Sequence, residues 1–281
     1  MGQYWKGIIL KENWKKVKNL VEFSCSSWEF SVGAKLLEHS WIGNHYLDMY
    51  IQLLANKYYG YPFVWCGDYC DHMKTSAYKN MEVRVTSRLI EPRKETEILS
   101  DDETPEVFNK VIEALEKYIG KDWKCKFNKD NYYTTTIPYS DEAWKTFEEL
   151  PHVYVDYELD LYEKAGEWIE KNEKLVSDIA GANYEDAPYY KYLVNLDKKE
   201  YVIMPKYSPR KWELNPLSLL CANSNDRGGG DLHEEIDNEG NPKDNGYNQV
   251  GLWAYDHIGF TNDKAAIKGF KKLVTKFKCD W

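Results

Sequence analysis

Residues 227–231, Arg-Gly-Gly-Gly-Asp, have side chains and spacing that could bind an anion. Three consecutive glycines, Gly228, Gly229 and Gly230, let the backbone turn its N–H groups into one concavity. The guanidinium of Arg227 would add a planar, bidentate contact to a phosphate. The segment matches neither the phosphate-binding loop nor the G-x-G-x-x-G dinucleotide fingerprint. We interpret it as a contact to a small phosphorylated ligand, with a surface loop beside an acidic run as the alternative.

Two carboxylates follow a pattern that occurs near both ends of the chain. Residues 64–69 and 252–257 both read as apolar residue, Trp, small residue, any residue, Asp, and then Tyr or His. The pattern predicts two buried strands, with Asp68 and Asp256 where they end. It indicates either two related halves or one core built from both ends of the chain.

These carboxylates support a second hypothesis, in which the chain is an enzyme. Asp68, Asp256, His257 and Asp231 could surround a divalent metal ion or form a general acid–base pair that hydrolyses a nucleotide or a phosphoester. Alternatively, each aspartate caps a turn through its side chain and the neighbouring tryptophans simply pack. The latter interpretation is preferred, so we assign no catalytic residue, metal or cofactor.

Trp65 and Trp253 belong to the same two patterns. If the patterns lie side by side, these indoles and the glycine segment 227–230 form one end of the molecule that faces a ligand. Tryptophan and tyrosine are favoured at binding hot spots.

Composition narrows the class of protein. The 281 residues include 23 Tyr and 11 Trp, and the formal net charge is −9. The aromatic content favours a folded globular protein, and the negative charge makes nucleic acid an improbable partner. No segment resembles a signal peptide or a membrane span, which predicts a cytoplasmic protein without a membrane partner.

The periodicity of apolar residues predicts an α+β fold. Strands of both chain ends should form a mixed or antiparallel sheet, and the middle of the chain should be helical. The expected parts are an N-terminal α+β half (1–90), a helical and hairpin middle (91–181) and a C-terminal α+β half (182–281) sharing a core with the first. The pattern also predicts an amphipathic helix over 263–277 and allows an internal duplication.

Several short motifs resemble a family of uncharacterised bacterial and phage proteins that begin Met-Gly-Gln-Tyr-Tyr. They are the Gly2-Gln3-Tyr4-Trp5 start, residues 35–38, Gly67-Asp68-Tyr69, residues 227–231 and residues 251–254. The chain departs from the family at Trp5, where Tyr is preferred, and at Cys66, where Ala is preferred. The resemblance covers both ends but not the middle, and it implies a phage or bacterial source without assigning an activity.

We therefore expect a non-catalytic binding protein, carried by a phage or mobile element and acting in the host cytoplasm. It would occupy a host defence protein or sequester a phosphorylated small ligand. The abundant aromatic residues allow a homo-oligomer. The metal-dependent hydrolase is the alternative.

Overall fold

The computed structural model divides the chain into two compact units. It describes residues 4–31, 35–36, 38–68, 70, 80–86, 105–120, 126–127, 132–150, 153–157, 160–184, 186–207, 213–223, 239, 249–275 and 277. Unit 1 takes its residues from 1–14, 19–71 and 161–281, and unit 2 from 15–18 and 72–160. The first unit therefore combines both chain ends, and the division lies elsewhere than the predicted boundaries at residues 90 and 181.

Unit 1 is built on an eight-stranded sheet. Its strands are β1 (Trp5–Leu10), β2 (Val21–Ser24), β3 (Tyr61–Gly67), β8 (Tyr192–Asn195), β9 (Glu200–Ile203), β10 (Ala222–Asn223), β11 (His257–Thr261) and β12 (Lys271–Lys272). They lie in the order β12-β9-β8-β11-β3-β1-β2, and β10 pairs with β3. The predicted sheet from both chain ends is confirmed.

The two chain ends contribute their strands in matching positions. Strands β3 and β11 are antiparallel neighbours at the centre. Next to β3 lie β1 and then β2, and next to β11 lie β8 and then β9, all antiparallel. This arrangement relates β1 to β8. Their sequences are also similar, because 3–10 and 189–196 both lead from aromatic residues and a lysine into an apolar run. A duplication of the chain stays a prediction.

The described residues of unit 1 include four α-helices. They are α1 (His45–Ala55), α4 (Leu161–Lys171), α5 (Glu173–Ala180) and α6 (Pro216–Leu220). The Asn44 side chain starts α1 by accepting hydrogen bonds from the backbone N–H groups of Tyr46 (2.9 Å) and Leu47 (3.4 Å), which satisfies two unpaired donors of the first turn. One face of α1 packs on the aromatic core formed by the sheet.

Two tyrosines of α1 insert their hydroxyls between β1 and β2. The Tyr46 hydroxyl donates to the Cys25 carbonyl (2.7 Å) and accepts from the Gly7 N–H (3.4 Å). The Tyr50 hydroxyl donates to the Gly7 carbonyl (2.6 Å) and accepts from the Cys25 N–H (3.0 Å). Both side chains are buried, and burial raises the pKa of both hydroxyls. The helix therefore supplies hydrogen bonds that the two strands do not make to each other at this point.

Unit 2 has its own sheet and helices. Strands β4 (Asn80–Thr86), β5 (Lys126–Phe127), β6 (Tyr132–Pro138) and β7 (Val153–Tyr157) form an antiparallel sheet in the order β5-β6-β4-β7. Helices α2 (Pro105–Ile119) and α3 (Asp141–Glu148) also lie in the described part of this unit. The predicted helical middle is confirmed. The bounds of α2 agree with two signals in the sequence, the Thr-Pro pair at 104–105, which favours a helix start, and Gly120, which favours a helix end.

Two segment predictions are wrong. Residues 251–256 form turns, so Asp256 precedes the strand β11 instead of ending one. Residues 264–269 are also turns, and Lys271 and Lys272 pair with β9 where a helix was expected. Gly269 adopts a φ of 84°, a left-handed conformation that ends helical periodicity there. Among the described residues, no helix has the length and apolar character needed to span a bilayer.

Candidate binding pocket

The two tryptophans of the repeated pattern lie in the core of unit 1. Trp65 is 2% exposed and Trp253 is 0% exposed. The Trp65 ring packs against Tyr46 and Tyr50, and the Trp253 indole N–H donates to the Glu200 carboxylate at 3.1 Å. The structure thus places both indoles among protein side chains, away from a ligand surface.

Asp68 and Asp256 lie toward opposite ends of β3. Asp68 extends the β1–β3 ladder, because its N–H donates to the Tyr4 carbonyl and its carboxylate accepts from the Tyr4 N–H. The Asp256 carbonyl accepts from the N–H of Phe63, five residues earlier on β3. At about 3.3 Å per residue this separates the two positions by roughly 16 Å along the strand. They cannot share one metal ion.

Asp256 and His257 instead hold the turn between β8 and β9. The Asp256 carboxylate accepts from the buried Asn195 amide (2.7 Å) and pairs with Lys198, whose ammonium also donates to the Leu252 carbonyl (2.7 Å). His257 contacts the Asp197 carboxylate through its backbone N–H and through Nδ1. This contact lowers the pKa of Asp197 against the opposing effect of burial.

Asp231 and the segment Arg227–Gly230 lie outside the described residues. The described chain reaches Asn223, which pairs with Cys66 in parallel register. The Asn223 amide donates to the Cys70 thiol (2.8 Å) and to the Tyr255 hydroxyl. Among the described residues, no group of three or more His, Cys, Asp or Glu side chains is arranged to bind a metal ion.

A pocket of about 480 Å³ opens elsewhere in unit 1, beside α1. One face of the helix contributes four side chains, at spacings that place them in a row. The lining consists of Ile42, Gly43, His45, Asp48, Ile51, Gln52, Tyr184, Ala187, Pro188, Tyr189, Tyr190, Met204, Pro205, Tyr207 and Phe260. The volume is that of a site for a small organic ligand.

Asp48 is the acidic residue of this lining. Its carboxylate makes no hydrogen bond within the described part of the chain, although it is mostly buried. Burial raises its pKa to about 6, and the charge of the nearby His45 opposes the shift. A carboxylate that is largely desolvated and lacks a hydrogen-bond donor is unfavourable in a folded protein, and such groups are frequent at functional sites.

Five aromatic rings surround the pocket. Tyr184 donates its hydroxyl to the Ile179 carbonyl (2.9 Å), and Tyr189 donates to the Met204 carbonyl (2.6 Å). Tyr190 shares a hydrogen bond with the Gln52 side-chain oxygen (3.5 Å). These contacts direct the hydroxyls toward the protein's own polar groups and fix the rings.

The fourth tyrosine lies at the mouth of the pocket. Tyr207 is 65% exposed, and its ring lies against Gly43, where an added Cβ would come within 2.6 Å of the ring atom Cδ2. Gly43 also has a φ of 89°, which favours glycine. The glycine thus allows both the turn before α1 and the close approach of the ring.

The pocket residues were not among the sequence-predicted site residues. The available signal was a group of four tyrosines within 184–192 followed by Tyr207, together with an aspartate in the first turn of a helix whose other residues are mostly apolar. Neither signal indicates that these segments meet.

No protein-family model, curated protein or solved structure matches the chain. The resemblance carried by the terminal motifs stays a prediction.

The tyrosines and the aspartate that line the pocket share a negative electrostatic character. Tyrosine rings present negative electrostatic potential on their faces, and Asp48 adds a negative charge when the pH is well above its pKa of about 6. Both features attract an organic cation.

Proposed function

We propose that this protein is a non-catalytic binding protein that captures a positively charged organic group in the pocket beside α1. The observation that carries the proposal is the Asp48 carboxylate, which is mostly buried among tyrosines and has no hydrogen-bond donor among the described residues. A bound cation would supply the missing partner. The net charge of −9 would draw cations toward the protein.

The cation can belong to a small molecule or to a side chain of a partner protein. Tyr189 and Tyr207 are 40% and 65% exposed at the pocket, and exposed tyrosines are common hot spots of protein interfaces. A host protein as partner, a cytoplasmic location and a homo-oligomer remain compatible with this proposal. Capture of a phosphorylated ligand depends on residues 227–230 and is a separate proposal.

The test is a titration with two simple probes, methylammonium and tetramethylammonium, at pH 8 and constant ionic strength. Binding is followed by ¹H–¹⁵N NMR shifts, with sodium ion as the control cation. We expect at least one probe to shift the resonances of residues 42–52 and 184–207 in a saturable manner, and sodium to produce no such shifts.

Two variants locate the site. Asp48→Asn should weaken binding of the probe at least tenfold, because it removes the charge and keeps the shape. Asp178→Asn, an exposed substitution on α5, should leave binding unchanged. The proposal fails if neither probe binds, or if Asp48→Asn binds as tightly as the parent protein.

A further inference from the structure

The pocket beside α1 offers a cation little besides charge and aromatic surface. Asp48 is the one negatively charged residue among its described lining residues. The hydroxyls of Tyr184 and Tyr189 donate to backbone carbonyls, so they can offer the N–H groups of a cation only neutral oxygen lone pairs. Gln52 is also engaged, because its amide donates to the Pro188 carbonyl (3.4 Å) and its oxygen contacts the Tyr190 hydroxyl.

The small number of charged acceptors in the pocket favours some organic cations over others. A primary ammonium carries three N–H donors and a guanidinium carries five. Each donor that enters the pocket without finding an acceptor loses its hydrogen bond to water and gains nothing in return. One cation can present at most two of its N–H donors to a single carboxylate in good geometry, so the remaining donors depend on weaker, neutral acceptors or on water.

A quaternary ammonium has no N–H donors. Its positive charge is spread over methyl groups, which pack against aromatic faces and are attracted by them. Such a cation needs rings around it and one carboxylate near it. Tyr184, Tyr189, Tyr190, Tyr207 and Phe260 provide the rings, and Asp48 provides the charge.

Two basic side chains also lie near the pocket. His45 lies on the same face of α1 as Asp48, and the Lys206 Nζ lies over the Tyr189 ring, 5.9 Å from its centre. Neither offers an acceptor with negative charge, so neither compensates a primary ammonium for its lost hydrogen bonds.

We propose that the pocket selects a trimethylammonium group over a primary ammonium or a guanidinium. This inference rests on the proposed function, since it names the class of cation that the same site takes. The group can be carried by a free small molecule of the choline type or by a trimethylated lysine side chain.

Choline and ethanolamine are the matched probes, because they differ only in the three methyl groups on nitrogen. At pH 8 the Asp48 carboxyl, with a pKa of about 6, is ionised. We expect choline to bind at least tenfold more tightly than ethanolamine. Equal affinity, or tighter binding of ethanolamine, overturns the selectivity and leaves the proposed function intact. Failure of both probes and of methylammonium overturns both.

Variants of the exposed Tyr207 test the contribution of a ring without disturbing the core. Tyr207→Phe should keep the affinity for choline within about twofold, whereas Tyr207→Leu should lower it about fivefold or more. Circular dichroism of both variants checks that the fold is retained. Equal affinity of all three proteins for choline would contradict the role of the ring.

A third probe separates the two sources of the group. N-acetyl-Nε-trimethyl-lysine methylamide carries the same cation on a peptide backbone. Tighter binding than choline supports a trimethylated side chain of a partner protein, and weaker binding supports a free small molecule. Both outcomes support the selectivity, and binding of the unmethylated lysine analogue with equal strength contradicts it.

Discussion

Tyr46 and Tyr50, one turn apart on α1, place their hydroxyls side by side between β1 and β2. Each hydroxyl joins the N–H of one strand to the carbonyl of the other. The helix is thereby tied to the sheet by hydrogen bonds as well as by apolar packing. Because α1 also carries His45, Asp48 and Gln52 into the pocket, the same contacts hold one wall of the candidate site.

Removing either hydroxyl should destabilise the protein. Tyr46→Phe removes the hydrogen bonds to the Gly7 N–H and the Cys25 carbonyl, and Tyr50→Phe removes those to the Cys25 N–H and the Gly7 carbonyl. The Gly7 carbonyl keeps the Ser24 hydroxyl as a donor at 2.9 Å, but each variant loses a buried hydrogen-bond partner of an N–H group, which costs roughly 1–3 kcal/mol. Urea denaturation monitored by tryptophan fluorescence measures the loss. Tyr201→Phe is the matched control, because none of the described residues hydrogen-bonds the hydroxyl of this half-buried tyrosine. An equal effect of all three substitutions would argue against the bridging role.

Two glycines of unit 1 should respond to alanine in opposite directions. At Gly7 an added Cβ would lie 2.6 Å from Cζ of Tyr50 and 2.8 Å from Cζ3 of Trp65, so Gly7→Ala should cost about 1–3 kcal/mol through overpacking. At Gly166, within α4, the nearest atom is the Lys6 Nζ at 3.5 Å. Gly166→Ala should stabilise by about 0.5–1 kcal/mol through helix propensity. Thermal melts of both variants measure whether each substitution lowers or raises the melting temperature.

The stability of the protein should depend on pH through Asp48. Its pKa is raised to about 6 in the folded protein, whereas an unfolded chain ionises near pH 4. Between these values the folded state holds a proton that the unfolded chain has released. Stability therefore falls as the pH rises from about 4 to about 6, by an amount on the order of 2–3 kcal/mol.

Substitution of Asp48 isolates this contribution. Asp48→Asn should be more stable than the parent protein at pH 8 and nearly equal to it at pH 4, since the asparagine is never charged. Denaturation at the two pH values measures the difference, with Asp178→Asn as the exposed control. If the parent protein is as stable as Asp48→Asn at pH 8, the charged carboxylate of Asp48 does not destabilise the fold and the prediction is wrong. Stabilisation together with loss of cation binding is the expected signature of a functional residue.

Asp256 should contribute to stability through Asn195. Asp256→Ala leaves the fully buried Asn195 amide without its carboxylate acceptor and should cost roughly 1–3 kcal/mol. Asp256→Asn should cost less, because its side-chain oxygen can still accept from the amide. Lys198→Met should cost the least, about 0–1 kcal/mol, because an ion pair with a partly exposed ammonium contributes little to stability. Urea denaturation ranks the three variants, and a different order would contradict this structural role.

Local patterns predicted the parts of the fold that short-range physics determines. The helix over Pro105–Ile119 follows from its Thr-Pro start, and the hairpin of β8 and β9 follows from two apolar runs joined by a charged turn. The helix expected over 263–277 failed because pairing with an edge strand prevailed over periodicity. Lys271 and Leu273 donate their N–H groups to the carbonyls of Lys199 and Tyr201 on that side of the sheet.

Such local patterns could not predict the candidate site. Its walls come from α1, from the chain around Tyr189 and Tyr207, and from Phe260 of β11, and no local rule brings these segments together. The similar runs at 64–69 and 252–257 suggested a different site. The structure gives them different roles, because Trp65 lies within β3 whereas Trp253 lies in the turn before β11.

The central pairing of β3 with β11 has a consequence during protein synthesis. All of residues 68–256 must leave the ribosome between these two strands. Strands β1, β2 and β3 are therefore synthesised long before β11 is available to pair with β3. Until then an aromatic surface and an unpaired strand edge remain uncovered, and such species are prone to aggregate. Productive folding of unit 1 in a cell is thus expected to depend on chaperones that shield the nascent amino-terminal part until translation nears its end.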